Sequence, residues 1–196
     1  MKEKILIAYR VDNRKYAVGD LISKHPESYY AKLPEIYLDN EKLLNAVSNS
    51  KVNRKDCVFL FKEKRNAFVY WLECKGMNIY EVEIDDGQII HIGDMDTVDW
   101  LNTIDLDNKE KRVEIAKSYW KEGNELFNPE ILIQGTIKVL RKHEISDSIY
   151  DNMLKIIEKI RNKEEVVIDE SITKTLNEYD LMFGIQPDGN YRIMYK

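Results

Sequence analysis

Apolar residues change their spacing along the chain, and each change predicts an element. Lys4 to Arg10 is apolar between charges and predicts a strand. Val18-Gly19-Asp20-Leu21-Ile22 follows a polar turn, with Gly19 supplying a permissive backbone position. Leu43, Leu44 and Val47 repeat at helical spacing within Glu41 to Ser48, and Asn49 to Asp56 is a polar, basic loop. Cys57-Val58-Phe59-Leu60-Phe61 is a continuous apolar run of strand length, as expected of a strand buried on both faces. Lys64 to Glu73 returns to a helical stripe through Ala67, Phe68, Trp71 and Leu72.

The second half begins with alternation. Ile79, Tyr80, Val82 and Ile84 are interleaved with Glu81 and Glu83, which predicts a strand over Asn78 to Ile84. Asp85-Asp86-Gly87 reads as a hairpin-type turn, with Ile89 to Ile92 as the returning strand. Asp94 to Leu101 is a short helix capped by Asp94 or Asp96, and Lys109 to Lys121 is a helix stopped by Gly123. Glu130 to Leu140 reads as one long strand. Ser146 to Arg161 places Ile149, Met153, Ile156, Ile157 and Ile160 on one helical side, and Asp169 to Glu178 is a second helix. Asp180 to Ile185 and Tyr191 to Tyr195 flank Pro187-Asp188-Gly189-Asn190, a hairpin signal. Strands and helices mix without regular βαβ alternation, so the expected class is α+β. A soft boundary near His143 to Ser146 divides 1–143 from a helix and hairpin extension over 144–196.

Composition narrows the class further. The 196 residues are 43% hydrophobic and 33% charged, enough to bury a core without staples. No stretch approaches the roughly 20 apolar residues of a membrane span. Cys57 and Cys74 have no CxxC spacing and suit two reduced thiols in the cytoplasm. The net charge is −5, so the total does not predict nucleic-acid binding. Its distribution says more. Glu81 to Asp107 holds nine acidic residues and no Lys or Arg, while Lys51 to Arg65 holds six basic residues against Asp56 and Glu63. Solvated faces are the simplest account of both runs; a basic rim that meets phosphate is the functional one.

Two residues carry candidate chemistry. Arg10, at the end of the first strand, is a fixed cation of the kind that holds a pyrophosphate or ribose. Glu130, at the mouth of a late strand, is a carboxylate that could stabilise a sugar cation. Other motifs fail. His25, His91 and His143 lack metal-ligand spacing. Asp94-Met95-Asp96-Thr97-Val98-Asp99 lacks the glycine and terminal glutamate of a calcium loop, so capping is the better reading. There is no phosphate-binding glycine loop and no nucleophile elbow.

The order of fragments over residues 4 to 141 resembles the ADP-ribosyltransferase superfamily. Tyr9-Arg10-Val11-Asp12-Asn13-Arg14 is similar to the Tyr-Arg-x-Asp-x-Arg start of the cholera-toxin enzymatic subunit. Lys15 to Ile22 is similar to the corresponding stretch of rifampin ADP-ribosyltransferases, which carry His where this chain has Arg10. Asn53-Arg54-x-x-Cys57-x-Phe59 is similar to a Ser-Arg-x-x-Ser-x-Phe pattern in bacterial relatives.

The resemblance implies a split β-sandwich core, with NAD as substrate and a cleft between the first strand and the buried strands. Tyr9, Arg10, Val11, Asp12, Cys57, Phe59 and Phe61 would line the NAD site, with Phe59 or Phe61 against nicotinamide. Glu130 would contact the nicotinamide ribose, with Glu122 and Glu125 as competitors under a shifted alignment. Arg54 would touch a phosphate or an acceptor. The family's middle Ser-x-Ser is absent, because Cys57 to Phe61 carries no hydroxyl. The implied acceptor is a nucleic acid or a protein side chain, with a small molecule third. The setting would be a bacterial toxin or defence effector, met by an antitoxin or regulatory protein. A catalytically inactive binding module, or a toxin partner docking through its acidic face, is the alternative.

Overall fold

Strand β1 (Ile5–Asp12) is the axis on which the rest of the chain is arranged. The computed structural model describes residues 5–24, 33–48, 53–74, 77–121, 126–162, 164, 166–185 and 191–195. After β1 come β2 (Leu21–Ile22), α1 (Glu35–Val47), β3 (Val58–Phe61), α2 (Lys64–Glu73), β4 (Asn78–Asp85) and β5 (Ile89–Asp94). They are followed by α3 (Met95–Thr103), α4 (Lys109–Tyr119), β6 (Pro129–Ile133), β7 (Ile137–His143), α5 (Asp147–Arg161), α6 (Glu170–Glu178), β8 (Leu181–Ile185) and β9 (Tyr191–Tyr195). The fold is α+β. A seven-stranded sheet has the order β2-β7-β4-β1-β3-β6-β5, every described pairing in it is antiparallel, and β8-β9 form a separate two-stranded sheet.

The sheet is folded over on itself, and the connection lengths require it. In a flat sheet of this order β4 and β5 would lie four inter-strand steps apart, roughly 19 Å. Asp85 and Ile89 are joined by Asp86–Gln88 alone, a reach of at most about 14 Å. The fold-over falls between β1 and β3, whose one registered pair is Tyr9↔Phe61. Ala8, Tyr80, Val82, Ile84, Ile137 and Val139 then meet Val58, Leu60, Ile131 and Ile133 in one buried core.

Two sequence expectations fail here for the same reason. Asp85-Asp86-Gly87 does not close a hairpin, because β4 pairs with β1 and β7 while β5 pairs with β6. Glu130 to Leu140 is not one strand but β6 and β7, which lie in opposite halves of the sheet. Gly135 makes the break at φ +113°, and a Cβ there would sit 2.8 Å from Gln88 Nε2. Gln88 holds both corners together, donating to the Thr136 carbonyl at 3.0 Å and accepting from Asp85 N–H at 3.2 Å. A period-2 pattern shows that a segment is a strand, not which strand it pairs with.

Helix α1 starts at Glu35, earlier than its apolar spacing shows. With α3 and α4 it forms a small core of Leu44, Leu101, Ile115, Ala116 and Tyr119. Asp94 caps α3, accepting from Asp96 N–H at 3.1 Å. The same carboxylate accepts from Phe127 and Asn128 N–H at 3.1 Å each, which pins the approach to β6.

The C-terminal segment packs on α2 in one continuous core. Phe68 stacks on Tyr179 at 4.3 Å between centroids, and Trp71 meets Tyr150 edge-on at 5.0 Å. Buried His143 lies at this junction, with neither ring nitrogen hydrogen-bonded among the described residues. Burial and Arg141 lower its pKa, against the opposing pull of Glu81 and Glu178. Gly123, Glu122, Glu125, His25 and the Pro187–Asn190 turn lie outside the described residues.

Candidate functional site

A cavity of about 320 Å³ opens where β1 and β3 part. Its walls include Arg10, Val11, Asp12, Arg54, Cys57, Phe59, Phe61 and Glu130. Eight of the nine residues singled out from sequence therefore share one cavity. Tyr9 does not line it. Its ring packs against the C-terminal core, 6.1 Å from His143.

One end of the cavity is built locally by β1. Asp12 is buried and receives two arginines: Arg10 Nε at 3.2 Å and Arg14 Nη2 at 2.7 Å. Arg10 Nη1 donates to the Phe59 carbonyl at 2.7 Å, across the parting strands. Arg10 Nη2 has no hydrogen-bond partner among the described residues, so the group is anchored with one arm free. Burial works against the Asp12 charge, but Arg14 and Arg10 outweigh it and hold the carboxyl below its usual range. Two guanidiniums on one carboxylate leave this end positive. Lys24 and Lys55 also line the cavity, although Lys24 pairs with Asp56 at 2.9 Å.

The other end is assembled from four distant segments. Arg54 stands in a short 3-10 turn before β3, its backbone N–H held by Asn45 Oδ1 at 2.9 Å. Only 3% of the residue is exposed, so the polar loop read from the sequence carries a buried cation. Its Nε and Nη2 reach both oxygens of Glu41 on α1, at 2.9 and 3.2 Å. Its Nη1 donates to Glu130 Oε1 at 2.9 Å and to the hydroxyl of Tyr119, the last residue of α4. The Tyr119 hydroxyl donates to the same Glu130 oxygen at 2.7 Å. The guanidinium also lies over the rings of Tyr119 at 4.7 Å and Phe59 at 5.0 Å.

Each nitrogen of the Arg54 guanidinium makes at least one hydrogen bond, four of its five N–H donors in all, so Arg54 orders the site. Burial opposes its charge, but Glu130, Tyr119 and Glu41 hold its pKa well above the ordinary value. Burial, reinforced by Glu130, keeps the Tyr119 hydroxyl protonated far beyond neutral pH. One guanidinium between two carboxylates leaves this end with an excess negative charge.

Cys57 is 4% exposed, and burial pushes its thiol up to about 11. It is a protonated wall group near neutral pH, not a nucleophile. Phe61 is buried with its ring 5.2 Å from Tyr70, which also lines the cavity. Among the described residues no group of three or more metal-capable side chains converges. No described helix is long and apolar enough to cross a membrane.

Sequence reasoning missed what three residues do at this site. Tyr119 brings to Glu130 a hydroxyl that the strand run Cys57 to Phe61 does not carry. Glu41 looked like the start of an ordinary amphipathic helix. Gly93 pairs directly across from Glu130, and any Cβ on it would overlap the Tyr119 ring. A glycine interrupting an apolar strand is the one signal that could have pointed here, since it marks a close approach.

The fold and cavity define an α+β protein with a ligand-sized, two-ended charged site. By sequence the chain belongs to a family described as "Protein of unknown function (DUF2441)", whose model matches residues 8–165. That match takes in Arg10, Glu41, Arg54, Tyr119 and Glu130, and it passes beyond His143. Comparison with curated proteins finds no match.

Proposed function

We propose that the protein is an NAD-dependent ADP-ribosyltransferase with a split β-sandwich core. The observation that carries this reading is the convergence of Arg10, Phe59, Phe61 and Glu130, from separate parts of the chain, on one cavity. Oxidised NAD is itself two-ended, with an anionic pyrophosphate and a cationic nicotinamide. The cavity offers a positive end at Arg10 and a negative end at Glu130, which suits that distribution of charge. Its size is at the lower end of the roughly 300–1,000 Å³ of small-molecule sites, so part of the dinucleotide would lie outside it.

The chemistry follows from that placement. Arg10 Nη2 takes a phosphate or ribose oxygen, and Phe59 or Phe61 packs the nicotinamide ring. The bond from ribose C1′ to the nicotinamide nitrogen breaks, and its electron pair neutralises the pyridinium. Glu130 stabilises the ribosyl cation left behind. An acceptor lone pair then forms the new bond at C1′, and the acceptor's proton leaves to solvent.

The acceptor is a nucleic acid or a protein side chain, approached past Lys24 and Lys55. A nucleic-acid acceptor predicts binding that weakens with salt and with neutralisation of Lys55 and Lys62. Incubation with NAD should release nicotinamide, and Glu130→Gln should lower that release by roughly a hundredfold or more. Equal release by the variant would sink the role assigned to Glu130.

One observation favours a second reading, a binding module without catalysis: Arg54 partly compensates the charge of Glu130. Calorimetry with NAD separates the two, because no detectable binding at millimolar NAD supports the module.

A further inference from the structure

We propose that Tyr119 is a positioning residue that turns one oxygen of Glu130 into the cavity. The inference rests on the transferase reading and deepens it.

Glu130 is a 3% exposed residue whose two oxygens have different surroundings. Oε1 accepts from Arg54 Nη1 at 2.9 Å and from the Tyr119 hydroxyl at 2.7 Å. Oε2 has no hydrogen-bond partner among the described residues, yet it is not among the enclosed orphan atoms, and Glu130 forms part of the cavity wall. A carboxylate turns easily about its last side-chain bond. Arg54 alone could therefore be served by either oxygen. The Tyr119 hydroxyl fixes the plane of the carboxylate about that contact, because it accepts from Arg54 and donates to Glu130 at once, closing a three-membered ring of contacts. The oxygen outside that ring is the one left to meet a ligand.

The scaffold around Tyr119 fits this role. The residue is 1% exposed, and its backbone carbonyl is hydrogen-bonded to His91 Nε2 at 2.8 Å. Gly93 stands opposite Glu130 in the β5–β6 ladder, and its missing side chain makes room for the tyrosine ring over that pair. A larger residue there would displace the hydroxyl from the carboxylate. Sequence and topology thus bring a phenol from a helix end to an acid near the start of β6.

The test is Tyr119→Phe, which keeps the ring and removes the hydroxyl. The expected result is a folded variant by circular dichroism whose kcat for nicotinamide release falls roughly tenfold to a hundredfold. The KM for NAD should stay within about twofold, since the hydroxyl does not touch NAD. Adding Tyr119→Phe to Glu130→Gln should cost no further activity, because the tyrosine acts through the acid. Gly93→Ala should reproduce the loss of kcat. Wild-type kcat in Tyr119→Phe, a loss confined to KM, or full additivity in the double variant would overturn the positioning role and leave the transferase reading intact. A wild-type protein that releases no nicotinamide would overturn both.

Discussion

The two ends of the cavity are built from the same side-chain chemistry in opposite proportion. At one end a carboxylate, Asp12, lies between two arginines; at the other an arginine, Arg54, lies between two carboxylates. The first cluster spans five consecutive residues of one strand end, and its arginine side chains keep 20% and 26% of their surface. The second joins two helices, a turn and a strand, and the side chains of its ion pairs keep 4% or less. Solvent reaches the arginines of the first end, whereas the ion-paired side chains of the second are almost wholly buried. The first end can adjust to a ligand at small cost, whereas the second holds one geometry because no other geometry satisfies its charges.

The largest test of that contrast is Arg54→Met. Two carboxylates would then be buried without a counter-charge, and stability should drop by about 3–5 kcal/mol in urea unfolding. A loss below about 1 kcal/mol would erase the distinction between the ends. Next comes Glu130→Gln, which keeps the shape and leaves Arg54 paired with Glu41. Nicotinamide release should fall by roughly a hundredfold or more, with a stability loss of about 1–3 kcal/mol. A stability loss equal to that of Arg54→Met would show that Glu130 serves the fold rather than the site.

The β1 end should respond more weakly. Asp12→Asn leaves Arg10 and Arg14 facing each other, but both remain partly hydrated, so the loss should be about 1–2 kcal/mol. The smallest effect is its pH dependence. The folded carboxyl is held below its unfolded value, so its contribution is complete above that value and is lost as pH falls through the folded one. The stability gap between wild type and Asp12→Asn should therefore be constant above about pH 5 and shrink below about pH 4. A gap that persists in acid would mean that the Asp12 shape, not its charge, holds the strand end.

The same contrast explains what could be read from the sequence. Arg10, Asp12 and Arg14 lie within five residues: strand geometry puts Arg10 and Asp12 on one face, and the bend after β1 returns Arg14 to the same carboxylate. Element identity was legible for the same reason: α2 and α5 carry helical apolar stripes that their burial bears out, and β3 is a continuous apolar run that is mostly buried. The Asp85–Gly87 turn and the break at Gly135 were not, because each depends on which distant strand supplies the partner. Arg54 looked like one more cation in a basic loop. Its burial is fixed by Glu41, Tyr119 and Glu130, none of them a sequence neighbour. Glu130 was placed by resemblance to a family, and no local pattern around it shows that a phenol and a guanidinium share one of its oxygens.

The single registered pair between β1 and β3 has a further consequence. Two residues beyond Tyr9↔Phe61 along β3, the Phe59 carbonyl is met by the Arg10 side chain. Arg10 is therefore a stitch across an open seam as well as a wall of the cavity. A ligand held through Nη2 alone leaves the stitch in place, whereas one that draws the whole guanidinium inward unpicks it. Occupancy and the tightness of the seam are then coupled, and hydrogen exchange at the β3 amides becomes a gauge of how a ligand grips Arg10.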